Sequence, residues 1–470
     1  MFRLLILNLF AISLFSQSLP IDSNRLRAHI RFLSSDLLEG RAPGTRGGQL
    51  TEQYLASAFE AAGAKVQMQA VPLVGVSMEP GSKISIDSKE LTWRTEVYAT
   101  IASQQKSAAL TGSFVFAGYG MREVYANSDV RGKIVVLLAG NAPGQAASAA
   151  SRPASKLKEA AQLGAAGVLI LSKMIAPNAG REQLQLQVKP GAPVLSFSGT
   201  ITEAAAQKLG WAVADLTAKA AAPDFQPVAL PGTAQVELKA ALRTVSAHNV
   251  IATIAGADAV VGNEQILYSA HWDHLGMSAS GEDRIFNGAV DNATGCAALI
   301  EVARAWASLE PKPKRSAVFI ATTGEESGLL GATYYAANPV FPLQQVKLGL
   351  NLDGLAPGPK PTGFFALGPA NTEAWPLLEE GARRLSVPLR PDPKPELGYL
   401  FRADHFALMN AGVPAYSLLP LDEAGQFSAT YMSTRYHKTN DEYSPDWDMT
   451  ANETMSRLVF IIGLNAASRP

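Results

Sequence analysis

Three short runs gather acids and imidazoles: Tyr268-Ser-Ala-His271-Trp-Asp273-His274-Leu-Gly276, Gly288-Ala-Val-Asp291-Asn-Ala-Thr-Gly295 and Ala321-Thr-Thr-Gly-Glu325-Glu326-Ser327. Asp353 and His437 lie further along. Imidazole nitrogens and carboxylate oxygens suit divalent metals. Two-metal hydrolysis needs one ligand that bridges both ions, others that close each site only partly, and an open face for water and substrate. His271, Asp291 and Asp353 suit a first ion and Asp291, Glu326 and His437 a second, with Asp291 bridging; spacing alone leaves that pairing open. Asp273, two residues after His271, is cast as the group that orients the imidazole. Glu325 remains as a general base, which would take a proton from a water activated by the cations and return it to a leaving amine. His274 and His405 are read as supporting or structural. Each feature has a plainer reading by itself: a hydrogen-bonded turn, charge near a helix start, or a helix cap. Their joint occurrence, in order, favours chemistry.

To act together these residues must be carried to one place. From His248 onward, strands are expected over 249–254, 265–270, 316–321, 347–352, 364–367 and 415–419, with a helix over 295–309. That alternation argues for an α/β fold, a mixed central sheet flanked by helices, with ligands at the carboxyl ends of strands. His271, the Glu325-Glu326 pair and Asp353 each come just after such a strand. Nearer the start, 24–38 and 46–64 read as helical and 65–76 as extended. Between about 98 and 236 the chain turns rich in Ala, Gly and Ser, with short strands at 112–116, 132–138 and 167–171 and a helix over 154–163. This stretch is expected to form a separate, smaller β-rich lobe.

Composition bounds the rest. At 470 residues, 47% hydrophobic and 17% charged, the chain can bury a large core in two or more lobes. Forty basic against 41 acidic residues give a formal charge of -1, which offers no electrostatic case for nucleic acid. Met1-Phe2-Arg3, an apolar run from Leu4 to Phe15 and then Ser16-Gln17-Ser18 match a signal peptide, with cleavage expected near Ser18 and an exported product, periplasmic or secreted. No later stretch is apolar enough to span a bilayer. Cys296 is the single cysteine, so an intrachain disulfide is excluded, and its apolar setting marks it as a packing residue.

At His-x-Asp, Gly-Ala-x-Asp-Asn, Glu-Glu, Asn-Leu-Asp-Gly and a late Tyr-His, the chain resembles the M28 family of co-catalytic zinc aminopeptidases and glutamate carboxypeptidases. The resemblance implies two Zn2+ per chain on His271, Asp291, Glu326, Asp353 and His437, with Asp273 and Glu325 catalytic. It also implies that Tyr436 steadies an oxyanion, that Arg402 contacts the polar backbone or carboxylate of bound substrate, and that the Asp291–Asn292 peptide is cis. Phe116-Ala-Gly-Tyr-Gly120, Asp129-Val-Arg-Gly-Lys-Ile-Val-Val136 and Leu163-Gly-Ala-Ala-Gly-Val-Leu169 resemble a protease-associated (PA) domain. The expected organisation is a signal at 1–18, a peptidase domain from 19–97 and 237–470, and a PA-like insert at 98–236. The expected activity is that of an aminopeptidase on peptides. A carboxypeptidase, a dipeptidase, an acyl-amide hydrolase or a silent receptor-like relative are the alternatives, and the last is disfavoured because no ligand is missing.

Overall fold

The computed structural model describes residues 21–125, 129–176, 179–421 and 429–469, so the expected signal segment lies outside the described residues. The chain divides into two compact units. The first takes the chain to Ala70, then His248–Pro393 and everything from Ala403, and the second comprises Val71–Ala247 and Lys394–Arg402.

In the first unit the strands lie side by side in the order Leu389–Pro391, Gly363–Leu367, Ala415–Leu421, Val346–Asn351, Gln265–His271, Ser316–Thr322 and the end of the long strand Val228–Ile254. Ala415–Leu421, Val346–Asn351, Gln265–His271 and Ser316–Thr322 run parallel to one another, and the sheet turns antiparallel toward both edges. Every residue of Gln265–His271 and Ser316–Thr322 is buried, as parallel strands covered on both faces should be. Leu267, Val318 and Ile320 point to one face, where they meet Tyr335 and Leu408. Tyr268 and Phe319 point to the other, where they stack on each other and Tyr268 meets Trp306 edge-on. Trp306 belongs to the helix Thr294–Ala307, which is apolar almost all round because the helices Ser23–Leu33 and Thr450–Ser468 cover it.

The second unit is built on the strands Ser107–Phe116, Ile134–Leu138, Gly167–Ser172 and Phe197–Thr202, parallel in that order, with Val97–Ile101 antiparallel at the edge. The helix Pro153–Gln162 makes one of the crossovers such pairing requires. This unit is wider than the expected 98–236. Leu73–Val76 pair with Gln183–Leu186, and Lys83–Ile86 pair with Ala234–Glu237, so the chain from Val71 onward belongs to it. The expected helix over 24–38 ends at Leu33, where the Ser34 hydroxyl turns back to the Ile30 carbonyl. Among the described residues no helix is long and apolar enough to cross a membrane.

Candidate metal centre

The three central parallel strands, Val346–Asn351, Gln265–His271 and Ser316–Thr322, are neighbours, so the residues just beyond their carboxyl ends share one place. His271 closes its strand opposite Thr322, Glu325 and Glu326 come three and four residues beyond, and Asp353 comes two after Asn351. Asp291 belongs to the irregular turn Ala289–Ala293 that enters the helix Thr294–Ala307. Its peptide bond to Asn292 is cis, as expected. The Asn292 amide donates to the Leu352 carbonyl at 2.9 Å and its oxygen accepts from Gly295 at 3.1 Å, tying the Asp291 turn to the strand that carries Asp353. A Cβ on Gly295 would fall 2.2 Å from that Asn292 oxygen, which is why the position has none.

Asp291 lies between the two imidazoles. Its Oδ1 is 3.1 Å from His271 Nε2 and its Oδ2 is 3.3 Å from His437 Nε2. Asp353 Oδ1 stands 3.4 Å from the first nitrogen, and Glu326 Oε2 stands 2.9 Å from the second. The five groups therefore fall into the two expected sets, joined by Asp291. His437 Nε2, close to two carboxylate oxygens, is aligned for a hydrogen bond with neither. Ligand atoms of His271, Asp291 and Glu326 lie within 4.8 Å of one another. Convergent carboxylates and imidazoles, with the His437 nitrogen pointing between oxygens rather than along a hydrogen bond, fit divalent cations such as zinc. His271 and Asp291 are buried, whereas the side chains of Asp353 and His437 are 20% and 36% exposed, which leaves one side open.

Electrostatics agree with that chemistry. Burial favours a neutral His271, yet Asp353, Glu325 and Asp291 hold its pKa well above the ordinary value. Burial also opposes charge on Asp291, but His271 and His437 hold it ionised, well below the usual carboxylate range. For Glu326, burial and Asp291 push up, and His274 and His437 prevail, bringing it to about 2. Glu325 has no such partner beyond His271, and burial with Asp353, Glu326 and Asp404 drives it well above its ordinary value.

One expected contact changes in detail. The His271 Nδ1 partner is the Asp273 main-chain carbonyl at 3.1 Å, while the Asp273 carboxylate stands 4.0 Å away and accepts from the Glu325 N–H at 3.1 Å. Asp273 thus orients the imidazole through its backbone and Glu325 through its side chain. Its pKa is raised by burial to about 7. Tyr436 is 37% exposed, with its ring stacked on His437 at 3.8 Å. Arg402 belongs to the second unit, where its guanidinium lies over Tyr399 and donates to the Leu397 carbonyl at 3.3 Å.

Other residues enter only through tertiary contacts. His274 Nδ1 meets Glu326 Oε1 at 2.5 Å, so the second histidine of the His-Trp-Asp-His run steadies a carboxylate. Asp441 accepts from the backbone N–H groups of Val290 at 3.2 Å and Asp291 at 3.1 Å and from the Tyr431 hydroxyl at 3.1 Å, joining the His437 segment to the Asp291 turn. Its place four residues after His437 was the available signal. Buried Asp404 binds the Thr322 hydroxyl, and burial raises its pKa to about 6. His405 is fully buried and held neutral by burial, near 3, consistent with a structural reading.

An α/β sheet with acids and imidazoles converging beyond its central strand ends has the build of a metal-dependent hydrolase. Residues 249–460 match the model of peptidase family M28. A vacuolar membrane protease of Verticillium alfalfae is 30% identical over 116 residues, 25% of this chain and 10% of that protein. A "probable zinc metalloprotease" of Pyrenophora teres f. teres is 38% identical over 88 residues, 19% of this chain and 18% of that protein. The matched stretch is thus less than a fifth of the length of these relatives. The fold is shared with an aminopeptidase from Aneurinibacillus sp. strain AM-1, at a TM-score of 0.62 and 23% identity over 96% of this chain and 95% of that one. A zinc aminopeptidase from Bacillus subtilis superposes at 0.57 with 18% identity, over 96% and 97% of the two chains.

Proposed function

We propose that this chain is an exported exopeptidase using two zinc ions, and that it acts as an aminopeptidase on peptides. The observation that carries the proposal is Asp291, whose two oxygens face different imidazoles, each with a further carboxylate beside it. His271, Asp291 and Asp353 would hold one ion and Asp291, Glu326 and His437 the other. Bound zinc supplies Lewis acidity and lowers the pKa of water. Glu325, held by the Asp273 carboxylate through its backbone N–H, takes the proton from the attacking water and delivers it to the leaving amine. Tyr436, whose hydroxyl burial and the nearby acids keep protonated, donates to the oxygen that gains charge. The spare carboxylates Glu325 and Asp353 suit a substrate ammonium, and Arg402 suits a carbonyl or carboxylate. Both structural neighbours are aminopeptidases, which supports the choice of terminus. The Ala-rich second unit is read as a PA-like lobe.

Removing divalent ions with a chelator should abolish peptide hydrolysis, and zinc should restore it at two equivalents per chain by elemental analysis. Turnover that survives complete removal sinks the metal reading. A matched pair of peptides, one N-acetylated and one C-amidated, separates the termini. Acetylation should remove most activity; loss on amidation instead makes the enzyme a carboxypeptidase.

A further inference from the structure

We propose that Arg41 is a positioning residue that braces the His271 turn and the Asp291 turn together, and so sets how tightly the cluster takes divalent cations. The inference rests on the metal reading above. Arg41 is 1% exposed, among the largest fully buried side chains of the protein. Its guanidinium meets only main-chain carbonyls among the described residues. Nε donates to Trp272 at 2.9 Å, Nη1 to Leu33 at 2.5 Å and to Asn287, and Nη2 to Gly288 at 3.0 Å. Trp272 sits between His271 and Asp273, and Gly288 lies three residues before Asp291.

A buried guanidinium is costly unless its donors are met, and here the usual carboxylate partner is replaced by four carbonyls drawn from three segments. Burial lowers the Arg41 pKa, with Asp291, Asp441 and Asp273 acting in the other direction. The backbone supports the same placement. Gly40 accepts from Gly276 at 3.0 Å, and a Cβ on Gly40, at φ 69, would lie 2.3 Å from the Gly276 carbonyl. The Arg41 loop is thus seated directly on the segment just past the His271 turn. A planar fork holds two turns at a set separation, whereas an ammonium offers a point charge without that geometry.

The test compares Arg41→Lys and Arg41→Gln with wild type, measuring zinc affinity by competition with a chromogenic chelator and melting temperature with and without zinc. Arg315→Lys is the control, since Arg315 also donates to main-chain carbonyls, those of Ala466 and Arg469, at the opposite, amino end of its strand. Both Arg41 variants should bind zinc about tenfold or more weakly, and the zinc-induced rise in melting temperature should shrink. Arg315→Lys should lower melting equally in both states and leave zinc affinity unchanged. Equal destabilisation of the Arg41 variants with and without zinc, at unchanged affinity, makes Arg41 a structural plug and overturns the proposal. Tighter zinc binding by Arg41→Gln also overturns it, because charge rather than geometry would then dominate. Should Arg41→Gln not accumulate folded, Arg41→Lys decides, since it keeps charge and most of the volume. Wild type that takes no zinc would defeat the metal reading itself, a result distinct from any of these.

Discussion

Glu301 is a buried carboxylate of the first unit and Glu325 a largely buried one, its side chain 11% exposed, and they are held in opposite ways. Glu301, in the helix Thr294–Ala307, receives Arg25 Nε at 2.8 Å and Arg304 Nη2 at 3.0 Å, with His29 at 3.8 Å. Burial alone would raise its pKa, but His29, Arg304 and Arg25 outweigh it and bring it to about 2. Glu325 faces acids, has only His271 to oppose them, and is pushed up. A buried acid with its own guanidinium is complete as folded, whereas a cluster of buried acids around imidazoles calls for positive charge from outside. Burial of charge therefore does not mark a site by itself; the identity of the partner does.

The comparison can be broken at three places. Glu325→Gln has the largest expected effect: both cations retained by elemental analysis, and kcat lower by roughly 10²–10⁴-fold, since only the proton carrier is lost. Loss of metal from this variant would erase the distinction between Glu325 and its neighbour Glu326, whose own Gln variant should lose the second ion.

Next comes His274→Ala, which leaves all five proposed ligands in place and removes the group steadying Glu326. Affinity for the second cation should fall about 10–100-fold in a chelator titration. Unchanged affinity would reduce His274 to packing.

The smallest effect on activity belongs to Glu301→Gln. Stability near pH 7 should drop by about 1–3 kcal/mol in chemical denaturation, with turnover unaffected. A carboxylate whose folded pKa lies below its unfolded value stabilises above the unfolded value, and that contribution disappears as pH falls toward the folded one. Wild-type stability from this group should thus be lost between about pH 4.5 and about 2. Glu301→Gln should be flatter across that window, and an identical pH profile would show that the guanidinium network contributes nothing.

Much of the first unit was legible residue by residue. The strands at 265–271, 316–322 and 346–351 are short apolar runs bounded by turn residues, and their observed ends differ from expectation by a residue or so. The second unit was harder to bound. Its edge depends on Leu73–Val76 pairing with residues more than a hundred positions away, and such pairing leaves no local mark. The same holds for the site. His271, Asp291, Glu325, Glu326, Asp353 and His437 stood out because acids and histidines in small-residue surroundings at strand ends are unusual. Arg41 gave no such signal, since an arginine after Glu39-Gly40 reads as a solvated loop until its burial is seen.

The amino-acid sequence by itself determined the kinds of atoms available to bind cations and the alternation that makes an α/β sheet, because both arise from side-chain chemistry and local periodicity. Tertiary structure decided which oxygen of Asp291 faces which imidazole, that Asp273 serves His271 through its carbonyl and Glu325 through its carboxylate, and that Asp441, His274 and Arg41 hold these groups in place. Those are distances of a few ångströms between residues far apart in the chain. They are set by strand order and by the requirement that buried polar groups find partners, and no local run of residues encodes either.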